Sequence, residues 1–204
     1  GFDMMYLDGA EFTDAQGSRY YLNKFVDSLY RNFNREVLVQ ASIFDNYAWH
    51  YTSRMTSNDA ARGGIRKFLE TLRLDNIKLY KDNFVPADFG WYGLFTNSEH
   101  CYSTLPEEIE YGCAKSIAYD EAFGLQTNLA SLARNGRTKE ILGIIKNYED
   151  LRLKGYFPQA VKDKLKEAGS DYQLSKDEKG SWFFRKIDYL PDVLVESLAG
   201  GENV

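Results

Sequence analysis

Short apolar runs that each stop at an aspartate, alternating with stretches whose apolar residues fall three and four apart, constrain this 204-residue chain more than any other feature. Phe2 to Leu7 closes on Asp8-Gly9, and Val37 to Phe44 closes on Asp45. Near-continuous apolar runs of this length, bounded by turn residues, read as strands of a parallel sheet buried on both faces. Between them Tyr21, Leu22, Phe25, Val26, Leu29, Tyr30 and Phe33 fall along one side of a helix. A second helix is expected over residues 60–74 with Ile65, Phe68, Leu69 and Leu72 inward, then a third strand over residues 83–88, where Pro86 cannot donate to a ladder. Thr104 and Glu107 have the spacing of a capping box and open a helix that reaches Tyr119. A fourth strand lies within residues 121–127. The helical region beyond it breaks at Gly136 and resumes from Thr138 to Leu153, with Ile141, Leu142, Ile145, Tyr148 and Leu151 inward. A short helix after Pro158 runs to Ala168, and residues 181–189 read as extended.

Strands and helices that alternate over short connections imply a parallel sheet with right-handed crossovers. A complete (β/α)8 barrel takes about 250 residues, so four units in roughly 150 residues make about half of one. The chain also opens directly on a strand, without an initiator Met. The expected fold class is therefore α/β, the C-terminal half of a TIM-type barrel over residues 1–170, with residues 171–204 an extended tail leading toward a β-sandwich domain. The N-terminal half of the barrel is expected to be missing from this chain. A doubly wound sheet is the alternative, but it normally begins with a Gly-rich phosphate loop, and the sequence has no G-x-G-x-x-G.

The net charge is −5 and the basic residues are interleaved with acidic ones, which argues against a nucleic-acid groove. No apolar run approaches the roughly 20 residues of a membrane span. Cys101 and Cys113 fit no zinc spacing and read as free thiols, and His50 and His100 share no ligand spacing, so neither a metal nor a cofactor is expected.

In a barrel the chemistry sits at the C-terminal ends of the strands, which singles out Asp8, Asp45, Asp88 and the region of Gln126. Two carboxylates flanking a sugar suffice for glycoside hydrolysis: one attacks or stabilises the oxocarbenium-like centre and the other protonates the leaving oxygen. Asp8 and Asp88 fit by position. Either could equally be an ordinary turn residue. Tyr47, Trp49, Tyr51, Trp91 and Tyr92 fall in expected strand-to-helix loops, where flat rings suit sugar faces as well as any small-molecule cleft. His50 lies among them as a hydrogen-bonding group, and Arg54 and Arg62 could clamp an acidic glycan or pair with neighbouring acids. Glu107, Glu108 and Glu110 cluster at a helix start, where the helix dipole accounts for them. Glu11 and Glu99 are reserve acids.

The run Phe2-Asp3-Met4-Met5-Tyr6-Leu7-Asp8-Gly9 resembles the fourth-strand motif of retaining barrel glycosidases in the α-galactosidase-like group. That resemblance implies Asp8 as nucleophile and Asp88, after the sixth strand, as acid/base. The family pattern has Lys two residues before the nucleophile, where this chain has Tyr6. Residues 147–152, followed by the strand-rich tail, are similar to the closing helix and entry to a C-terminal β-sandwich in large polysaccharide-degrading enzymes. A carbohydrate substrate and a secreted or periplasmic location are what the resemblance implies. The competing expectations are a barrel remnant that binds carbohydrate without cleaving it, and a barrel lyase or isomerase.

Overall fold

The computed structural model describes residues 3–7, 18–41, 53–55, 66, 69–70, 88–98 and 102–189. Strand β1, Met4–Leu7, is followed by helix α1, Ser18–Arg31, and by β2, Leu38–Ala41, which pairs with β1 in parallel. Strand β3, Arg54–Met55, joins the other edge of β2, also in parallel. Side chains alternate across a strand, and the two faces of this sheet differ. Met5, Leu7 and Val39 line a narrow cleft together with Val26, Leu29 and Phe33 of α1 and its exit. Tyr6 and Gln40 therefore belong to the face turned away from α1.

The sequence places Tyr21 and Phe25 on the inward side of α1, yet they are 67% and 61% exposed while Val26 is buried. Apolar positions at 21, 22, 25, 26, 29, 30 and 33 wrap around more of the helix than one sheet can cover, and the sheet takes the stripe centred on Val26.

Strand β4, Asp88–Gly93, pairs in parallel with β5, Ala122–Gln126, across the intervening helix α2, Pro106–Tyr119. Strand–helix–strand units with parallel pairing are what the alternation in the sequence predicts. Among the described residues the strands form three separate small sheets and no closed barrel. Of the strand expected over residues 83–88 only Asp88 is described, and there the chain continues as β4 to Gly93; residues 83–87 are outside the described set.

Helix α2 begins with Pro106, whose missing N–H costs nothing in the first turn, and carries Glu107 and Glu108 against the positive end of the helix dipole. The expected capping box does not form. Leu105 occupies the cap position without a side-chain bond, because the Thr104 hydroxyl is committed elsewhere: it donates to Gly93 O at 2.9 Å and accepts from Phe95 N at 2.9 Å. Thr104 thus ties the entry of α2 to the end of β4. Asp120, in the left-handed conformation at φ 56°, stops the helix.

Helix α3, Leu129–Arg134, is capped by the Asn128 side chain, and α4, Thr138–Leu153, and α5, Gln159–Leu165, follow. From α4, Ile141, Tyr148 and Leu151 enter a core with Phe89, Tyr92, Ile109 and Ile117, whereas Leu142 stays 42% exposed. Cys113 is a buried free thiol in that core. The stretch expected as an extended tail is, over its described part, an antiparallel hairpin of β6, Asp171–Lys176, and β7, Trp182–Ile187. The hairpin lies on the helical layer: Tyr172, Leu174, Trp182 and Phe184 pack against the core, and the Leu174 N–H donates to Glu110 of α2 and Tyr148 of α4.

Candidate functional site

The face of the β1-β2-β3 sheet turned away from α1 carries a row fixed by backbone register. Tyr6 pairs with Gln40, and Gln40 with Arg54. This row is one residue short of the last pairing of the sheet, Leu7 with Ala41 and Ala41 with Met55. Gln40 is buried at 5% exposure.

Trp91 meets this face from the second parallel sheet. Its ring lies 4.9 Å from that of Tyr6, the two planes tilted by 55°. Two glycines put it there. Gly90 takes φ 77° at an irregularity in the ladder, where β4 advances from Asp88 to Trp91 while β5 advances only from Ala122 to Gly124. The extra residue is a β-bulge, and it shifts the alternation by one. Phe89 and Tyr92 consequently both point into the core, and Trp91 is turned to the other side. Gly124, its register partner, supplies the room: a Cβ there would stand 2.6 Å from Trp91 Cδ1.

The residues expected in this site divide accordingly. Trp91 is brought into contact with Tyr6, a residue not among those expected, and Arg54 occupies the same row by register, its backbone alone being described. Trp91 and Tyr92 are strand residues, not loop residues. Tyr92 is 1% exposed, stacked on Phe123 at 4.3 Å, and its hydroxyl donates to Gly112 O, so it is core and carries no sugar face. Asp8, immediately beyond β1, and Glu11, Asp45, Tyr47, Trp49, His50, Tyr51, Arg62, Glu99 and His100 lie outside the described residues.

Asp88 is described by its backbone alone. It is the first residue of β4, three residues before Trp91, and a strand rises about 3.3 Å per residue. The chain position expected at the carboxyl end of a strand is thus about 10 Å of strand toward the amino end from the ring that meets Tyr6. The sequence reading missed Gln40 and Gly90. Both left a signal: a lone polar residue inside an apolar strand run, and a glycine between aromatic residues, which marks a bulge or a close approach.

Three further titratable clusters involve α2 and differ in chemistry. Glu110 accepts from the Tyr148 hydroxyl at 2.9 Å and from Leu174 N at 3.3 Å, and burial raises its pKa despite those bonds. Lys115, 1% exposed, donates to the carbonyls of Leu165 and Glu167, each at 2.8 Å, and burial lowers its pKa although Glu70 lies 3.8 Å away. Asp171 accepts through Oδ2 from Arg66 and from the Tyr189 hydroxyl, while its buried Oδ1 has no hydrogen-bond partner among the described residues. These clusters join the hairpin and α5 to α2, the Asp171 cluster through Arg66, which lies 4.2 Å over the Tyr111 ring. No family model matches the sequence, and neither a curated protein nor a solved structure matches it.

Proposed function

We propose that the chain is the catalytic half of a glycoside hydrolase, acting on an oligo- or polysaccharide at the carboxyl end of β1. In this reading Asp8 is the nucleophile of a retaining reaction, and Tyr6 and Trp91 form an apolar wall beside it for one face of a sugar ring. Arg54 supplies a polar contact from the same row, and Tyr47, Trp49, His50 and Tyr51 complete the subsites. Asp88 is the candidate acid/base. The observation that carries the proposal is the meeting of Tyr6, two residues before Asp8, with Trp91 on the face turned away from α1. Aromatic side chains beside a few polar groups are the ordinary lining of a small-molecule cleft, and a carboxylate next to them is what glycosyl transfer to an enzyme requires.

Reducing-end release from mixed oligosaccharides, measured for the wild-type chain and for Asp8→Asn and Asp88→Asn, tests it. Asp8→Asn is expected to fall to background while oligosaccharide binding persists, and near-normal release by that variant sinks the assignment. Loss of general acid catalysis costs about 10²–10⁴-fold, so Asp88→Asn is expected to slow release of poor leaving groups by that range and to spare activated aryl glycosides. The three-residue offset between Asp88 and Trp91 in β4 supports a second reading, a barrel remnant that binds carbohydrate without a competent acid pair. Calorimetric binding of an oligosaccharide with no reducing-end release over long incubation supports that alternative. Any release abolished by Asp8→Asn excludes it.

A further inference from the structure

Beneath the β6–β7 hairpin lies a cavity of about 290 Å³, closed on one side by the inward face of the hairpin and on the other by the α4–α5 turn and α5. Its walls are rings: Tyr156, Phe157, Tyr172, Trp182, Phe183 and Phe184. Val161 and Leu165 add the aliphatic floor from α5. The register explains why the rings converge. Leu174 pairs with Phe184 and Lys176 with Trp182, so one face of the hairpin presents Tyr172, Leu174, Trp182 and Phe184 together. Phe184 is held 4.7 Å from Phe157 and 5.9 Å from Tyr148, which fixes the inner end. At the outer end the exposed Tyr156 hydroxyl accepts from Trp182 N at 3.1 Å.

One lining residue is charged. Lys164 reaches the cavity from α5, is exposed, and makes no ion pair among the described residues. Its neighbours differ: Lys162 pairs with Asp120, Lys166 with Asp163 and Lys186 with Glu167. Lys176 places a second positive charge 4.3 Å over the Trp182 ring. No carboxylate lines the cavity among the described residues.

We propose that this cavity is a binding site for a small arene-bearing carboxylate, its ring held among Phe157, Trp182 and Phe184 and its carboxylate on Lys164. Its volume is at the lower end of ordinary ligand pockets, about 300–1,000 Å³, which suits one ring with a short acid arm. Rings pack edge-on and offset against rings, whereas a free sugar needs many hydrogen-bond partners, and this lining is mostly carbon. A partly open, mostly apolar gap of this kind takes arenes; the Lys164 ammonium at its wall, without an ion pair among the described residues, selects an anion over a neutral arene. The site is separate from the Tyr6–Trp91 face and does not depend on the chemistry proposed there.

The experiment is a titration of the full chain with 3-phenylpropionate, 3-phenylpropionamide and glucuronate, read by tryptophan emission and by calorimetry. The acid is expected to give a saturable change that Trp182→Phe removes from the emission signal while calorimetry still detects binding. Lys164→Ala is expected to weaken the acid about fivefold, the scale of an exposed ion pair, and to leave the amide unchanged. Absence of saturable binding of the acid at millimolar concentration overturns the proposal. Equal affinity for acid and amide in the wild-type chain overturns the role of Lys164, and tighter binding of glucuronate than of 3-phenylpropionate overturns the arene assignment.

Discussion

The contact between Trp91 and Gly124 is the most demanding single-residue feature of the candidate site. A Cβ at position 124 would lie 2.6 Å from Trp91 Cδ1 and 3.1 Å from Nε1, and the indole, with Tyr6 at 4.9 Å on another side, has little room to retreat. Overpacking of this kind costs about 1–3 kcal/mol, so Gly124→Ala is expected to destabilise the chain by that amount in urea unfolding. Trp91→Ala removes the clash. The double variant is expected to be more stable than the sum of the single effects by about 0.5–3 kcal/mol, and strict additivity would mean that the indole does not rest on Gly124. Thr104 makes the complementary point. Its spacing to Glu107 is that of a helix cap, yet its hydroxyl bridges Gly93 O and Phe95 N. A local motif states which bonds a side chain can make. A strand end brought close by the fold decides which it does make.

Among the elements, α2 carries the most burial, with ten residues covered from Pro106 to Ala118, and it holds the hairpin through Glu110. Burial raises the Glu110 pKa above its ordinary 4.5 even though Tyr148 and Leu174 donate to the carboxylate. A carboxyl whose folded pKa exceeds its unfolded one takes up protons on folding. Its contribution to stability is therefore fully present below about pH 4.5 and is lost as pH rises through the folded value. Glu110→Gln keeps an oxygen acceptor and removes the charge, so its melting temperature relative to wild type is expected to rise between pH 5 and pH 7.5. Glu110→Ala leaves the buried Tyr148 hydroxyl without its acceptor and is expected to cost about 1–3 kcal/mol. A Gln variant with the wild-type pH profile would remove Glu110 from this role. The elements themselves were legible in proportion to how local their causes are. Helix α4 runs from Thr138 to Leu153, as its spacing predicts, and β5 falls inside the expected residues 121–127. The strand expected to end at Asp88 continues to Gly93: Pro86 and Asp88 look like a strand ending in a turn, while Phe89, Trp91 and Tyr92 look like loop aromatics. Their alternation is broken by Gly90, and only the pairing with β5 reveals the bulge. The hairpin was half visible, since residues 181–189 read as extended, but its partner strand β6 is polar enough to pass for a linker.

At the scale of the molecule the described residues divide into two unequal bodies of apolar packing. One is the continuous cluster from Phe89 and Tyr92 through α2 and α4 to Phe157 and Leu165, on which the hairpin rests. The other is the cleft between α1 and the β1-β2 pair, where Val26 and Val39 are the buried side chains and neither belongs to the larger cluster. Around α1 the aromatic side chains of Tyr20, Tyr21 and Phe25 remain 64%, 67% and 61% exposed. Resistance to local opening follows buried apolar contact, and segments with little of it open at free energies well below that of global unfolding. Native-state hydrogen exchange is therefore expected to protect the amides of Ser18–Arg31 less than those of Pro106–Tyr119 and Thr138–Leu153, by about tenfold or more, since 1.4 kcal/mol of opening free energy is a factor of ten. The same difference bears on the proposed chemistry. Tyr6, Gln40 and Arg54 belong to the thin body and Trp91 to a strand whose Phe89 and Tyr92 are anchored in the thick one, so the aromatic wall forms only while β1 keeps its register against β2 and its ring against Trp91. A carbohydrate that binds this wall adds contacts to both bodies and is expected to raise protection in α1 and β1 selectively, with α2 and α4 unchanged. Protection that rises evenly along the chain, or α1 amides as slow as those of α4 without ligand, would contradict a face assembled from two bodies of different stability.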